Sequence, residues 1–297
     1  MPPVLTAPIV STQWLADHIG ADDLVIVDAT VLVDSLGDGA AEPTPRGYAS
    51  GRAVYAEAGH VPDAVFADLI DDFSDTDADL PFTRPDTERF ENAASALGIS
   101  NDTTVVVYDS AGGHWASRLW WLFRSFGYDD VAVLDGGFAT WVAEDRPIRR
   151  GHRAPKPSVF LAEERSDAWV DKRFVERVVA GDEDATLVCA LPAREFAGAP
   201  GRRSRRGHIP GSFSVPASEL LSADAHTYRP VRELRSAFPS VSTDSLVVVY
   251  CGAGVSAASD ALALTLAGHE RVALYDGSLN EWAADPDSPL VTLDGAA

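Results

Sequence analysis

The chain alternates short apolar runs with longer stretches of mixed polarity, and the apolar runs come in matched pairs. Thr104-Val105-Val106-Val107-Tyr108 answers to Leu246-Val247-Val248-Val249-Tyr250, each rich enough in β-branched residues for a buried strand. Both runs end in a glycine-containing loop. Each loop leads into a helical stretch closed by a glycine, Gly127 and Gly268, where a left-handed cap is expected. A further strand follows in both places: Val131 to Asp135 matches Val272 to Asp276, and Trp141 and Trp282 stand at the same offset beyond them. Upstream, Gly59-His60-Val61-Pro62 parallels Gly207-His208-Ile209-Pro210, after strand-like Leu24 to Asp28 and Thr186 to Cys189. A duplicated unit of this kind fixes the architecture before any single motif is read.

The pattern predicts two tandem α/β domains, each a mainly parallel sheet flanked by helices, with any site at the carboxyl ends of the strands. Arg146 to Ser158 is rich in proline and basic residues and reads as the connection. This places the domains at 1–148 and 159–297, joined by 149–158. A length of 297 residues with 46% hydrophobic composition supports cores for both. Met1 to Gly20 shows no basic leader followed by an apolar run, and no later segment supplies the ~20 apolar residues of a membrane span. The expectation is a cytoplasmic protein without membrane contact. Its formal net charge is −21 and its only lysines are Lys156 and Lys172, which argues against sequence-independent nucleic-acid binding.

Two cysteines, Cys189 and Cys251, exclude a disulfide framework and a four-thiolate metal site. No metal or cofactor is expected, and interest moves to single-thiol chemistry. The two halves differ where a site should lie. Tyr250 is followed by Cys251-Gly252-Ala253-Gly254-Val255-Ser256, whereas Tyr108 is followed by Asp109-Ser110-Ala111-Gly112-Gly113 in a loop one residue longer. Glycines let successive backbone N–H groups turn inward as an anion-binding nest, and the start of a helix adds roughly half a positive charge. Both favour thiolate over thiol, whose pKa falls from about 8.5 to as low as ~3.5–7.5 in such settings. The same donors suit a persulfide anion. A buried cysteine that merely packs is the other reading of the position; the duplication favours reactivity, because packing does not explain why the equivalent position holds Asp109.

These residues resemble the tandem rhodanese-domain sulfurtransferases over nearly the whole chain. The Gly-His-Val-Pro and Gly-His-Ile-Pro elements, both Asp-Gly turns with their following tryptophans, and a first loop beginning with aspartate all carry the resemblance. It implies a non-catalytic first domain and a catalytic second one. In the second, Cys251 would take a sulfane sulfur from a small anionic donor and pass it to a thiol or cyanide. The loop looks more like the Cys-Gly-Ser/Thr-Gly-Val of mercaptopyruvate sulfurtransferases than the Cys-Arg-Lys-Gly-Val associated with thiosulfate.

Several positions depart from the family. Ala253 replaces its hydroxyl residue, and Phe82 stands where the mercaptopyruvate group has a histidine, although Asp71 falls on the accompanying carboxylate. The usual Asp-Ala-Arg is Cys189-Ala190-Leu191, and Glu195 takes the place of a donor-binding arginine. Arg194, one residue away, and Arg202 and Arg203 from the cluster with Arg205 and Arg206 are therefore the substrate-binding candidates. A solvated basic loop is the competing reading of that cluster. His60 and His208 occur in both halves, including the one without a nucleophile, and are expected to be structural. Cys189 is expected to be a buried spectator rather than a resolving thiol.

Gly252-Ala253-Gly254-Val255-Ser256-Ala257 also fits a dinucleotide fingerprint, but only about fifty residues follow it, too few for the usual six-stranded unit. A cysteine-dependent phosphatase would need an arginine closing the loop, where Ala257 and Ala258 stand. The non-enzymatic alternative is a degenerate tandem that carries sulfur or binds a partner.

Overall fold

The apolar runs form the central strands of two parallel sheets in a computed structural model that describes residues 2–33, 47–200, 205–223, 226–238 and 242–293. The chain divides into units of residues 1–164 and 165–297. The first unit runs β1 (Ile9–Val10), α1 (Thr12–His18), β2 (Leu24–Asp28), β3 (Val31–Val33), β4 (Tyr48–Ser50), α2 (Arg52–Glu57), β5 (Ala64–Phe66), α3 (Thr87–Ala96), β6 (Thr104–Tyr108), α4 (His114–Ser125), β7 (Val131–Leu134) and α5 (Gly137–Ala143). The second runs β8 (Trp169–Val170), α6 (Lys172–Ala180), β9 (Thr186–Cys189), α7 (Ala193–Ala197), β10 (Phe213–Ser214), α8 (Val231–Ala237), β11 (Val247–Tyr250), α9 (Val255–Ala267), β12 (Val272–Tyr275) and α10 (Ser278–Ala284).

Five strands pair in parallel in each unit, in the order β1-β7-β6-β2-β5 and, read from the opposite edge, β8-β12-β11-β9-β10. Each strand thus has a counterpart in the other sheet, and β3–β4 is an antiparallel addition to the first unit. Every residue of β6 and β11 is buried, as strands covered on both faces require. Gly268 caps α9 with φ 94°, and Gly127 follows α4 with φ 81°, the left-handed geometry expected of them.

The repeat extends to buried hydrogen bonds. The indole N–H groups of Trp141 and Trp282 donate to the carbonyls of Pro147 and Pro289, each at 2.8 Å. His60 and His208 bond through Nδ1 to the carbonyls of Tyr55 and Phe196 at 3.0 and 2.7 Å and stack on those same rings. Each histidine also pairs with a distant backbone segment, Arg149 and Val291 respectively. Both are therefore structural. The stretch after α5 adheres to the first unit: Gly151 N–H donates to Ala56 O at 2.8 Å, Ser158 N–H to Ser95 O at 2.9 Å and Glu163 N–H to Phe126 O at 3.0 Å. Residues 149–158 consequently lie along the first unit, and the division falls after Glu164.

Candidate functional site

Two equivalent loops leave the carboxyl ends of β6 and β11. Each reaches its helix through a left-handed glycine without a side-chain cap, Gly113 at φ 86° and Gly254 at φ 74°. Such a glycine lets the chain reverse so that amide groups face inward. In the first unit the loop encloses its own anion. The Asp109 carboxylate, 1% exposed, accepts four backbone N–H groups: Ala111 and Gly113 on Oδ1 at 2.7 and 2.9 Å, and Trp115 and Ala116 on Oδ2 at 2.9 Å each.

In the second unit the position of Asp109 is held by Cys251, 3% exposed. Aligning the loops on Gly113 and Gly254 makes Gly252, Gly254, Ser256 and Ala257 the counterparts of the residues that hold Asp109. A cradle that accommodates a carboxylate in one unit thus begins with a sulfur in the other. The backbone of Cys251 is clamped from the side of α10. Its N–H donates to Ser278 Oγ at 3.1 Å, its carbonyl accepts Leu279 N–H at 3.1 Å, and Gly252 O accepts Asn280 N–H at 2.9 Å.

Beneath the loop, Cys189 pairs in register with Tyr250, just as Asp28 pairs with Tyr108 in the first unit. Burial pushes the Cys189 thiol up to about 12, so it is not a thiolate at neutral pH. The Tyr250 hydroxyl accepts Ile209 N–H at 3.1 Å and donates to Ser212 Oγ at 2.8 Å. Asp28, the counterpart of Cys189, is raised to about 6 by burial, against the opposing hydrogen bonds of Thr30. Asp260 on α9 is fully buried, neither carboxylate oxygen has a hydrogen-bond partner, and desolvation drives its pKa well above the carboxylate range.

A match to the rhodanese-like domain family covers residues 11–144 and again 175–285. The chain belongs to the rhodanese-like domain family. It is 34% identical to a 3-mercaptopyruvate sulfurtransferase of Escherichia coli O157:H7, over 97% of this chain and 99% of that one. It is likewise 34% identical to the thiosulfate sulfurtransferase of Cricetulus griseus, over 94% and 93% of the two chains. The crystal structure of SseA from Escherichia coli, described as a 3-mercaptopyruvate sulfotransferase, superimposes with a TM-score of 0.79 at 33% identity, covering 92% of this chain and 99% of that one.

Within this rhodanese frame the remaining candidates fall unevenly. Gly252 and Ser256 are half-buried, and Ala253, Gly254 and Val255 are buried around the turn. Arg194 is exposed on α7, and Arg202 and Arg203 lie outside the described residues. Arg205 donates to the carbonyls of Asp285 and Ser288, so it braces the C-terminal segment. Phe82 is buried at φ 59° against Tyr48 and Trp115 in the first unit, and Asp71 is exposed. Reading the sequence missed Ser278 and Asp260. For Ser278 a signal existed: the repeat sets Asp135-Gly136-Gly137 against Asp276-Gly277-Ser278.

Proposed function

We propose that the second rhodanese unit carries sulfur on Cys251, the first being non-catalytic. The protein is a sulfurtransferase, as its near-full-length relatives are. The observation that supports Cys251 as the carrier is the unequal filling of the two nests. The first is saturated by Asp109 with four N–H bonds, whereas the second begins with the cysteine that forms the thiolate and persulfide of the proposed reaction. Amide donors fixed in advance stabilise charge without reorganising during the reaction.

The donor is a small anion, 3-mercaptopyruvate or thiosulfate, and the neutral Cys-Gly-Ala-Gly-Val loop favours the former. The Cys251 thiolate attacks the donor sulfur. With 3-mercaptopyruvate the carbon–sulfur bond breaks, its electron pair and the thiol proton go to carbon, and pyruvate leaves. With thiosulfate the sulfur–sulfur bond breaks and sulfite leaves. In either case the enzyme holds a persulfide anion, and attack by cyanide on its outer sulfur gives thiocyanate and regenerates the thiolate. A thiol acceptor leaves as its own persulfide. Arg194, Arg202 and Arg203 supply the positive charge that an anionic donor needs on a chain of net charge −21.

No helix among the described residues is long and apolar enough to cross a membrane. Intact-protein mass spectrometry tests the proposal. Donor treatment should add one sulfur to Cys251, and cyanide should remove it. A mass unchanged by both donors would return the chain to the sulfur-free, partner-binding reading.

A further inference from the structure

Ser278 occupies the place of Gly137 in the repeat, directly after the Asp-Gly turn. Gly137 has φ 56°, and a Cβ there would lie 2.6 Å from the Asp109 carbonyl oxygen, so the first unit excludes a side chain. Ser278 is equally left-handed, at φ 48°, yet carries one and is fully buried. Residues other than glycine, asparagine and aspartate rarely adopt this conformation, because Cβ crowds the following carbonyl. The turn is reshaped to admit it: Gly136 is left-handed at φ 79°, whereas Gly277 has φ −62°.

The serine hydroxyl is used twice. It donates to Tyr275 O at 2.8 Å and accepts the backbone N–H of Cys251 at 3.1 Å. The neighbouring contact is common to both units, since Phe138 N–H reaches Asp109 O at 3.0 Å just as Leu279 N–H reaches Cys251 O at 3.1 Å. A glycine at position 278, as at Gly137, would have no side-chain oxygen with which to receive the Cys251 amide. Strained backbone persists where the surroundings over-determine it, and it concentrates at functional sites. Here the strain coincides with the amide of Cys251, which stands where the other loop has Asp109.

We infer that Ser278 is a positioning residue for Cys251, holding its backbone from the α10 side and so fixing where the sulfur sits relative to the amides at the start of α9. The inference rests on Cys251 being the sulfur carrier. Without the hydroxyl, a buried N–H loses its acceptor and the loop is free to shift.

The test uses Ser278→Ala and Ser278→Gly in the full chain. Both should lower kcat roughly ten- to hundredfold, with the donor KM changed by less than about twofold. Both should also move the pH profile of Cys251 alkylation by iodoacetamide, read by peptide mass spectrometry. Ser278→Gly, which relieves the left-handed strain, should lower Tm less than Ser278→Ala, while both variants lose kcat and shift the alkylation profile alike. An equal loss of activity in two variants of unequal stability is an outcome that a purely structural serine does not give. Wild-type kcat and alkylation profile in both variants would overturn the inference, as would a loss of activity in Ser278→Gly that merely tracks a loss of Tm. If the wild type itself loads no sulfur, the functional reading fails, and the alkylation profiles still decide the role of Ser278.

Discussion

Asp109 and Cys251 begin equivalent loops on the same fold, and on the proposed reading the difference between them is that between a structural use of a backbone nest and a chemical one. In the first unit the carboxylate is part of the protein: four N–H groups close on Asp109. In the second unit the loop is one residue shorter and starts from a cysteine. Besides the Leu279 contact, which the first unit shares through Phe138, its backbone is held by Ser278 and Asn280. The second loop thus has no internal carboxylate at its start and is held instead from the start of α10.

Removing the nucleophile breaks the comparison most completely. Cys251→Ser should abolish sulfur transfer with far-ultraviolet circular dichroism unchanged, whereas Cys189→Ser should retain most turnover, because the Cys189 thiol is raised to about 12 by burial and stays protonated. Cys251→Asp should be as inactive as Cys251→Ser but melt at a higher temperature, as a carboxylate takes the place that Asp109 fills in the first unit. Undiminished turnover in the serine variant would remove Cys251 from the mechanism.

The reciprocal change tests the filled nest. Asp109→Ala strips four buried amides of their acceptor, and a buried unsatisfied donor costs about 1–3 kcal/mol. Even with partial relaxation the loss should reach about 3 kcal/mol, measured by denaturant unfolding of the first-unit transition. A change below about 1 kcal/mol would mean that the loop keeps its shape without its anion.

The helices behind the loops differ as well. Asp260 lies where the first unit has Leu119, on the same buried face of the repeat. Its folded pKa is raised by burial, so the folded chain retains a proton that the unfolded chain releases. Below the unfolded value of about 3.9 both states are protonated and the residue is neutral in this respect; above it, stability is lost progressively as pH rises. Asp260→Leu should therefore stabilise by about 1–3 kcal/mol at pH 7 and by much less near pH 4. Equal gains at both pH values would place the effect in packing alone.

The fold was legible because its evidence is redundant. Two copies of one apolar pattern fix the strands, the glycine caps and the tryptophans independently of any motif. Cys251 stood out as a candidate for the same reason, as the odd member of an otherwise matched pair. Ser278 did not, because a serine after Asp-Gly reads as an ordinary first residue of a helix, and neither its left-handed φ of 48° nor its bond to the Cys251 amide is visible in the sequence. Asp260 was hidden differently. Ser259-Asp260 suggests a polar helix face, yet α9 is buried on nearly every side. Arg205 read as one member of a basic cluster, and only its two carbonyl partners show that it belongs to the framework.

The smallest expected effect concerns the charge around the two loops. Neither loop contributes a cation, and the chain carries a net charge of −21, so long-range electrostatics oppose the approach of an anionic donor. On the proposed reading local arginines offset this, since a guanidinium fork matches a carboxylate. Arg194 is exposed on the short helix α7, where water and salt screen its charge. An exposed charge pair is worth about 0.2–1 kcal/mol, far less than a buried one. Arg194→Gln should accordingly raise the donor KM about two- to fivefold with kcat unchanged. The defect should be largest at low ionic strength and fade as salt shortens the screening length to about 8 Å at 0.15 M. Adding Arg202→Gln and Arg203→Gln should deepen the same salt-dependent defect. Identical KM values for the triple variant and the wild type at low salt would show these arginines to be solvated and assign donor recognition to the amides of the Cys251 loop alone.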